Sequence, residues 1–260
     1  MQKELPIAIQ VAVHEEISPI LKRVAVEEVF HEVTWEQRRS LKHAHHDHLR
    51  FYIGALNGVR VVVFRTGVGR LRATEIIRVF FEHFEPKLLI SAGFGGALTP
   101  DLDIGDIVLV NDILELQTGR RDWQGFIPSL NGQFKFQQGR LVTADQMVIS
   151  GDEKTALGST HNAVVVDMET SAVAARCKKL GVPIIGVRAI SDRANEDLPP
   201  EINTFFDNGE VRPGKIAKAI ITHPPTFAGL FKLAKHAWKA GDDLAGFLER
   251  FVLAAAADLK

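Results

Sequence analysis

Residues 164–192 read VVVDMETSAVAARCKKLGVPIIGVRAISD. Val164 to Val166 is a short apolar β-branched run, Thr170 to Leu180 has the spacing of a helix, and Pro183 to Ala189 is a second apolar run. This strand–helix–strand unit, with strands apolar on both sides, indicates a mostly parallel sheet covered by helices on both faces.

The same alternation extends toward the N-terminus. Ile7 to Val13 predicts a buried first strand, and Glu15 to Val29 a helix in which Pro19 sits early enough to be tolerated. Arg50 to Ala55 and Val59 to Thr66 read as two strands joined at Leu56-Asn57-Gly58, because Asn-Gly takes the positive φ angles of a tight hairpin turn. A glycine turn, Gly67-Val68-Gly69, leads into a helix to about Phe84. Lys87 to Ala92 is another buried strand, closed by Gly93-Phe94-Gly95-Gly96. Ile107 to Val110 and Arg140 to Ala144 are further strands, and residues from about 117 to 138 between them read as loop. The expected architecture is α/β: a central, mostly parallel mixed sheet flanked by helices.

From Pro213 the texture changes. Pro224-Pro225 breaks the chain, and two amphipathic helices are expected after it. Phe227, Leu230, Phe231, Ala234 and Trp238 form one stripe; Leu244, Phe247, Leu248, Phe251 and Val252 form the other. The division is an α/β domain over 1–212 and a helical extension over 213–260, with the α/β body complete without the extension.

With 260 residues, 46% hydrophobic and 24% charged, the chain suits one globular α/β domain with an appendage. Its 31 basic and 32 acidic residues leave a formal charge of -1, so a generally basic nucleic-acid-binding surface is not implied. One cysteine, Cys177, forms no intrachain disulfide, which suits a reducing compartment. The N-terminus lacks signal-peptide features and no run approaches a membrane span of roughly 18 apolar residues, so a cytoplasmic protein is expected.

In open α/β sheets ligands bind beyond the carboxyl ends of the strands. Gly67-Val68-Gly69, Gly93-Phe94-Gly95-Gly96 and Ser191-Asp192-Arg193 all follow strands at that edge. Glu16, Glu169 and Asp192 lie there too. Gathered in one pocket, three carboxylates would have at least one pKa raised toward neutrality, as general acid chemistry requires. Taken singly, each reads more readily as a helix-capping or first-turn acid. The glycine spacing is not G-x-G-x-x-G, so a dinucleotide site is not expected.

Val166-Asp167-Met168-Glu169-Thr170-Ser171-Ala172-Val173-Ala174, followed by Val187-Arg188-Ala189-Ile190-Ser191-Asp192, resembles the paired signature of the purine nucleoside phosphorylase, uridine phosphorylase and methylthioadenosine nucleosidase superfamily. Thr66-Gly67-Val68-Gly69, SAGFGGAL at Ser91 to Leu98 and Ile104-Gly105-Asp106-Ile107-Val108 support it, in the family's order over roughly residues 6 to 200. The resemblance implies a nucleoside phosphorylase-like fold and cleavage of the N-glycosidic bond of a purine nucleoside. Glu169 would then accept hydrogen bonds from the ribose hydroxyls, with Met168 beneath the sugar and Gly93 and Ser191 beside the substrate. Asp192 would protonate purine N7, and Glu16 matches the nucleosidase glutamate that activates water. Met147 and Val148 fall where nucleosidases hold the base. No cofactor is implied, and family members are dimers or larger.

The departures favour water as the nucleophile. Bacterial phosphorylases of this family place an arginine two residues before the glycine matching Gly93 and a serine directly after it; here Ser91 and Phe94 stand there. Their N-terminal G-D-P-x-R loop is replaced by His14-Glu15-Glu16. The alternative is phosphorolysis, with phosphate as co-substrate held by Arg65 or Arg70 and the turn at Gly67 and Gly69. The tail, with Leu198-Pro199-Pro200, Arg212-Pro213 and Pro224-Pro225, is similar to the hopanoid-associated branch, which acts on an adenosyl group attached to a triterpenoid. Phe94 and the amphipathic tail suit an apolar 5′ substituent. A catalytically silent nucleoside-binding protein is the second alternative.

Two features weigh less. The run His43-Ala44-His45-His46-Asp47-His48 has metal-binding residue types but no second cluster at a ligand-like spacing, so no functional metal is expected. Lys232, Lys235, His236 and Lys239 make the first tail helix basic. A peripheral membrane contact through residues 227–252 is one reading of it, and a packed helix with a solvated face is the other.

Overall fold

The computed structural model describes residues 3–31, 49–121, 123, 125–130, 134–207, 210–211 and 225–259. The His43–His48 run and the expected domain boundary at 212/213 lie outside the described residues.

The chain runs β1 (Lys3–Val11), α1 (His14–Leu21), β2 (Val24–His31), β3 (Arg50–Leu56), β4 (Val59–Arg65), α2 (Arg70–His83), β5 (Phe84–Ala97), β6 (Ile107–Glu115) and β7 (Gln137–Thr143). It continues with α3 (Gly151–His161), β8 (Val165–Asp167), α4 (Thr170–Leu180), β9 (Ile184–Asp192), a small hairpin β10 (Phe206–Asp207) and β11 (Glu210–Val211), and α5 (Pro225–Asp258). Strands β1 to β9 form one mixed sheet in the order β2-β3-β4-β1-β5-β8-β7-β6-β9, and β9 also pairs with β5. That last pairing closes five strands on themselves. The long β5 makes it happen: residues 89–96 run parallel to β9, and Gly96-Ala97 then pair antiparallel with β8. The central pairings β1–β4, β1–β5 and β5–β9 are parallel, as the apolar strands suggest.

The Asn57-Gly58 turn forms as read, with φ of 48° and 77°, and sets Leu56 opposite Val59. The helix expected over Glu15 to Val29 does not. It stops at Leu21, and Val24–His31 pairs antiparallel with β3 at the sheet edge. Local periodicity cannot separate a valine-and-glutamate run of this kind, and the open edge of β3 decides it. Pro19 is the sixth helical residue rather than part of the first turn. It has no N–H to give the Glu15 carbonyl. Gly241 of α5 packs there instead, so close that a Cβ would lie 2.8 Å from that oxygen.

The two expected tail helices are one helix of 34 residues. The helix runs on through Gly241-Asp242-Asp243, with Ala240 and Leu244 on either side buried in the same core layer and Lys239 paired with Asp243 at 2.7 Å. Nor is the α/β body complete without it. Leu244, Phe247, Leu248, Phe251 and Val252 are buried with Ile7, Ile9, Val61, Ile90 and Val187 in one core layer under the sheet. The opposite face is covered by α2 and α4, through Ile76, Ile77, Phe80, Val173 and Cys177. The stripe from Leu244 to Val252 therefore faces the sheet and not a membrane. In the first half of α5, Leu230 and Leu233 lean on Leu198, Ile202 and Phe205, while Phe231 and Trp238 are 67% and 74% exposed. Among the described residues no helix is long and apolar enough to cross a membrane.

Candidate active site

The carboxyl end of β5 organises the site. Gly93-Phe94-Gly95-Gly96, expected as a closing turn, stays in the strand, and none of its glycines has a positive φ. They serve close approach instead. A Cβ on Gly93 would lie 2.8 Å from Glu16 Oε1, one on Gly95 2.4 Å from Val165, and one on Gly96 3.0 Å from Asp192 Oδ2. Two of the three carboxylates thus rest directly on glycines of one strand.

Glu16 occupies the first turn of α1. Its Oε2 accepts from the Ala12 and Val13 amides at 2.7 and 3.0 Å, and its Oε1 from the Phe94 amide at 2.6 Å. Burial pushes its pKa up; the three amides and the Arg188 charge pull the other way without cancelling it. Glu169 precedes α4 and accepts from the Gly69 amide at 2.7 Å, across a turn in which Gly67 and Gly69 take φ of 83° and 94°. Its pKa is pushed up to about 8, first by burial and then by the charges of Asp167 and Glu16. Asp192 ends β9. Ser191 Oγ donates to its Oδ1 at 2.8 Å, and Lys154 Nζ pairs with its Oδ2 at 2.6 Å.

The other expected residues fall around this core. Phe94 is half-buried and packs toward Gly241 of α5. Met168 is half-buried beside Glu169. Val148 is buried with Val142, Ala144 and Val166. Met147 packs on Leu198, Ile202 and Phe205, and the Asn203 side chain clasps its backbone, accepting from the amide at 3.0 Å and donating to the carbonyl at 3.1 Å. Arg65 is half-buried at the end of β4. Arg70 opens α2, where its guanidinium donates to both Asp145 oxygens, at 2.5 and 3.0 Å, and to Glu115.

Four residues were not picked out as site residues from the sequence. Lys154 and Asn203 gave no signal, since neither α3 nor the short 3-10 helix Ile202–Thr204 was read. Arg188 and Asp167 were visible only as letters of the signature. Arg188 is buried and donates to the Ser91 carbonyl at 2.5 Å, to Ser91 Oγ at 3.0 Å and to Asp167 Oδ2 at 2.8 Å. Ser91 Oγ in turn donates to Gln10 at 3.0 Å, and Gln10 to Thr66 at 2.9 Å. A polar chain thus crosses four strands beneath the site. A separate hollow of about 530 Å³, lined by Trp123, Phe126, Lys178 and Ile184, lies at the amino end of β9, the far end from Asp192.

Comparison with known proteins places the chain in a family. The family described as the phosphorylase superfamily matches residues 6–134 and 124–222, a span that holds Glu16, Glu169 and Asp192. The chain belongs to the phosphorylase superfamily. Among curated relatives, the 5'-methylthioadenosine/S-adenosylhomocysteine nucleosidase of Staphylococcus haemolyticus is 28% identical over 197 residues, covering 67% of this chain and 86% of the relative. Among solved structures, the S-adenosylhomocysteine nucleosidase of Streptococcus pyogenes in complex with 5-methylthiotubericidin has a TM-score of 0.67 at 19% identity, over 96% of this chain and 97% of that one. A futalosine hydrolase mutant of Helicobacter pylori has a TM-score of 0.64 at 22% identity, over 97% and 99%. These two likenesses are of fold, and they extend over nearly the whole chain.

Proposed function

We propose that the chain hydrolyses the N-glycosidic bond of an adenine nucleoside. The observation that carries water over phosphate is the surroundings of Ser91. Superfamily phosphorylases place a cationic side chain at that position, whereas here a buried hydroxyl is tied to Gln10 and Arg188, and the Arg188 charge is met by Asp167. A phosphate dianion needs fixed cationic donors. Arg70 already carries two carboxylates. The curated relative named above is a nucleosidase, which agrees with this reading.

In the proposed reaction Asp192 takes up a proton from solvent on Oδ1 and delivers it to purine N7, and the C1′–N9 bond breaks with its electron pair leaving on the base. Water attacks C1′ and gives its proton to Glu16. Each Glu16 oxygen has lone-pair capacity beyond the amides it accepts, and burial already favours its protonated form. Glu169 takes the ribose hydroxyls, Met168 packs under the sugar, and Met147 and Val148 hold the base. Phe94 sits against α5, where an apolar 5′ substituent would find apolar cover. No cofactor is needed, and the working unit is a homodimer or larger, which sedimentation tests.

The test is release of adenine from methylthioadenosine with and without millimolar phosphate. Free sugar at a phosphate-independent rate is expected. A sugar 1-phosphate as main product would overturn hydrolysis in favour of phosphorolysis, including on an adenosyl-triterpenoid, and would point to Arg65 for the anion. Binding without cleavage would identify a silent nucleoside-binding protein.

A further inference from the structure

Lys154 is the feature least explained by the fold alone. It lies in the first turn of α3, capped by the Ser150 hydroxyl, with acidic neighbours at Asp152 and Glu153. A lysine there would ordinarily reach solvent. Instead its side chain is 1% exposed, and its three N–H groups meet three oxygens: Asp192 Oδ2 at 2.6 Å, the Glu196 carbonyl at 2.8 Å and the Arg193 carbonyl at 3.2 Å. Ordering a long side chain and stripping an ammonium of water are both costly.

The contacts join two parts of the site. Lys154 and Gly151 belong to the helix that follows directly on Met147 and Val148. Residues 192–197 belong to the segment that leaves β9. Gly151 packs within 3.0 Å, measured from a Cβ, of the Asn195 backbone, and its amide donates to Asp197 at 2.8 Å. Among the described residues, Lys154 is the one charged link of this junction that ends on Asp192 itself. With Oδ2 held by the ammonium and Gly96 against its back, Asp192 has one oxygen left to face a ligand. That oxygen, Oδ1, is the one the Ser191 hydroxyl already steers.

We infer that Lys154 is a positioning residue for base departure: it anchors Asp192 through Oδ2 so that Oδ1 handles the N7 proton, and it keeps that oxygen in register with the segment holding the base. The inference rests on the reading of Asp192 given above. It assigns Lys154 no contact with substrate.

The experiment compares wild type, Lys154→Met, Lys154→Arg and Asp192→Asn on two readouts. One is kcat for methylthioadenosine. The other is the Kd of its 7-deaza analogue, which carries no N7 to receive a proton and also counts the folded sites in each preparation. A misplacement of about 1 Å costs roughly a hundredfold in rate, so Lys154→Met should lose about that in kcat per folded site while the deaza Kd moves by less than about threefold. Lys154→Arg, which keeps a cation on Oδ2, should recover at least about tenfold. Loss of kcat and deaza binding in parallel would mean that Lys154 only supports the fold, and would overturn the inference. So would a Lys154→Met enzyme with wild-type kcat beside an inert Asp192→Asn. An Asp192→Asn enzyme that turns over normally would instead sink the assignment of Asp192 and leave the proposed function at fault.

Discussion

Glu16 and Asp192 rest on the same strand, one against Gly93 and the other against Gly96, yet they are held by opposite means. Glu16 is gripped by three neutral backbone amides, from Ala12, Val13 and Phe94. Asp192 is gripped by a buried ammonium and a hydroxyl. Amide dipoles only partly offset the loss of water around Glu16, so burial leaves its pKa raised. A carboxyl so placed accepts a proton at little cost, as a base that receives one from water must. A carboxyl group pinned at one oxygen by a cation is instead fixed in direction, so a proton taken up on the other oxygen is aimed at one ring nitrogen. Two acids that are alike in sequence are thereby set up for different tasks by their neighbours.

The sharpest way to break this contrast is Asp192→Asn. An amide cannot deliver the N7 proton, and adenine release should fall by roughly a hundred- to ten-thousand-fold; turnover within threefold of wild type would remove Asp192 from the chemistry. Glu16→Gln should cost about a hundredfold in kcat. It should also lower the melting temperature, because both Glu16 oxygens accept from N–H groups and the new NH2 must oppose one of them, leaving a buried donor unpaired at about 1–3 kcal/mol. An undisturbed Tm would show that the amide grip is not as described.

Gly93→Ala and Gly96→Ala test the resting places themselves. The added methyl would crowd Glu16 at 2.8 Å and Asp192 at 3.0 Å. Each should lose about tenfold in activity and about 1–3 kcal/mol in stability, measured by initial rates and denaturant melts. Wild-type behaviour in both would show that the carboxylates have room to move.

The smallest effect concerns pH. Glu169 is raised from an ordinary 4.5 to about 8, so folding favours its protonated form. Its contribution to stability is full below about pH 4.5 and is lost as pH rises through about 8. Glu169→Gln keeps an oxygen for the Gly69 amide and removes the titration. The Tm of the variant relative to wild type should therefore climb by a few degrees between pH 5 and pH 9. A difference that stays flat would mean that the carboxylate is better solvated than its burial implies.

Legibility in the sequence followed the range of the interaction responsible. The unit β8–α4–β9 was readable because its apolar spacing is local, and Thr170–Leu180 begins and ends as expected. Lys154 was not, because only partners some 40 residues away tell a buried lysine from a solvated one. The helical stripe from Leu244 to Val252 was read correctly as apolar, but no local feature says what covers it.

By itself the sequence determined the α/β alternation, the Asn57-Gly58 hairpin and the placing of Glu16, Glu169 and Asp192 at or just beyond strand ends. Each depends on backbone preferences within a few residues. Only the tertiary structure decided that Val24–His31 is an edge strand, that residues 93–96 remain in β5, that α5 is a core layer, and that Asp192 meets a buried ammonium. Those outcomes depend on an open strand edge, a close neighbour or a countercharge brought from elsewhere in the chain. Hydrogen bonding, packing and charge pairing act across space, without regard to distance along the sequence.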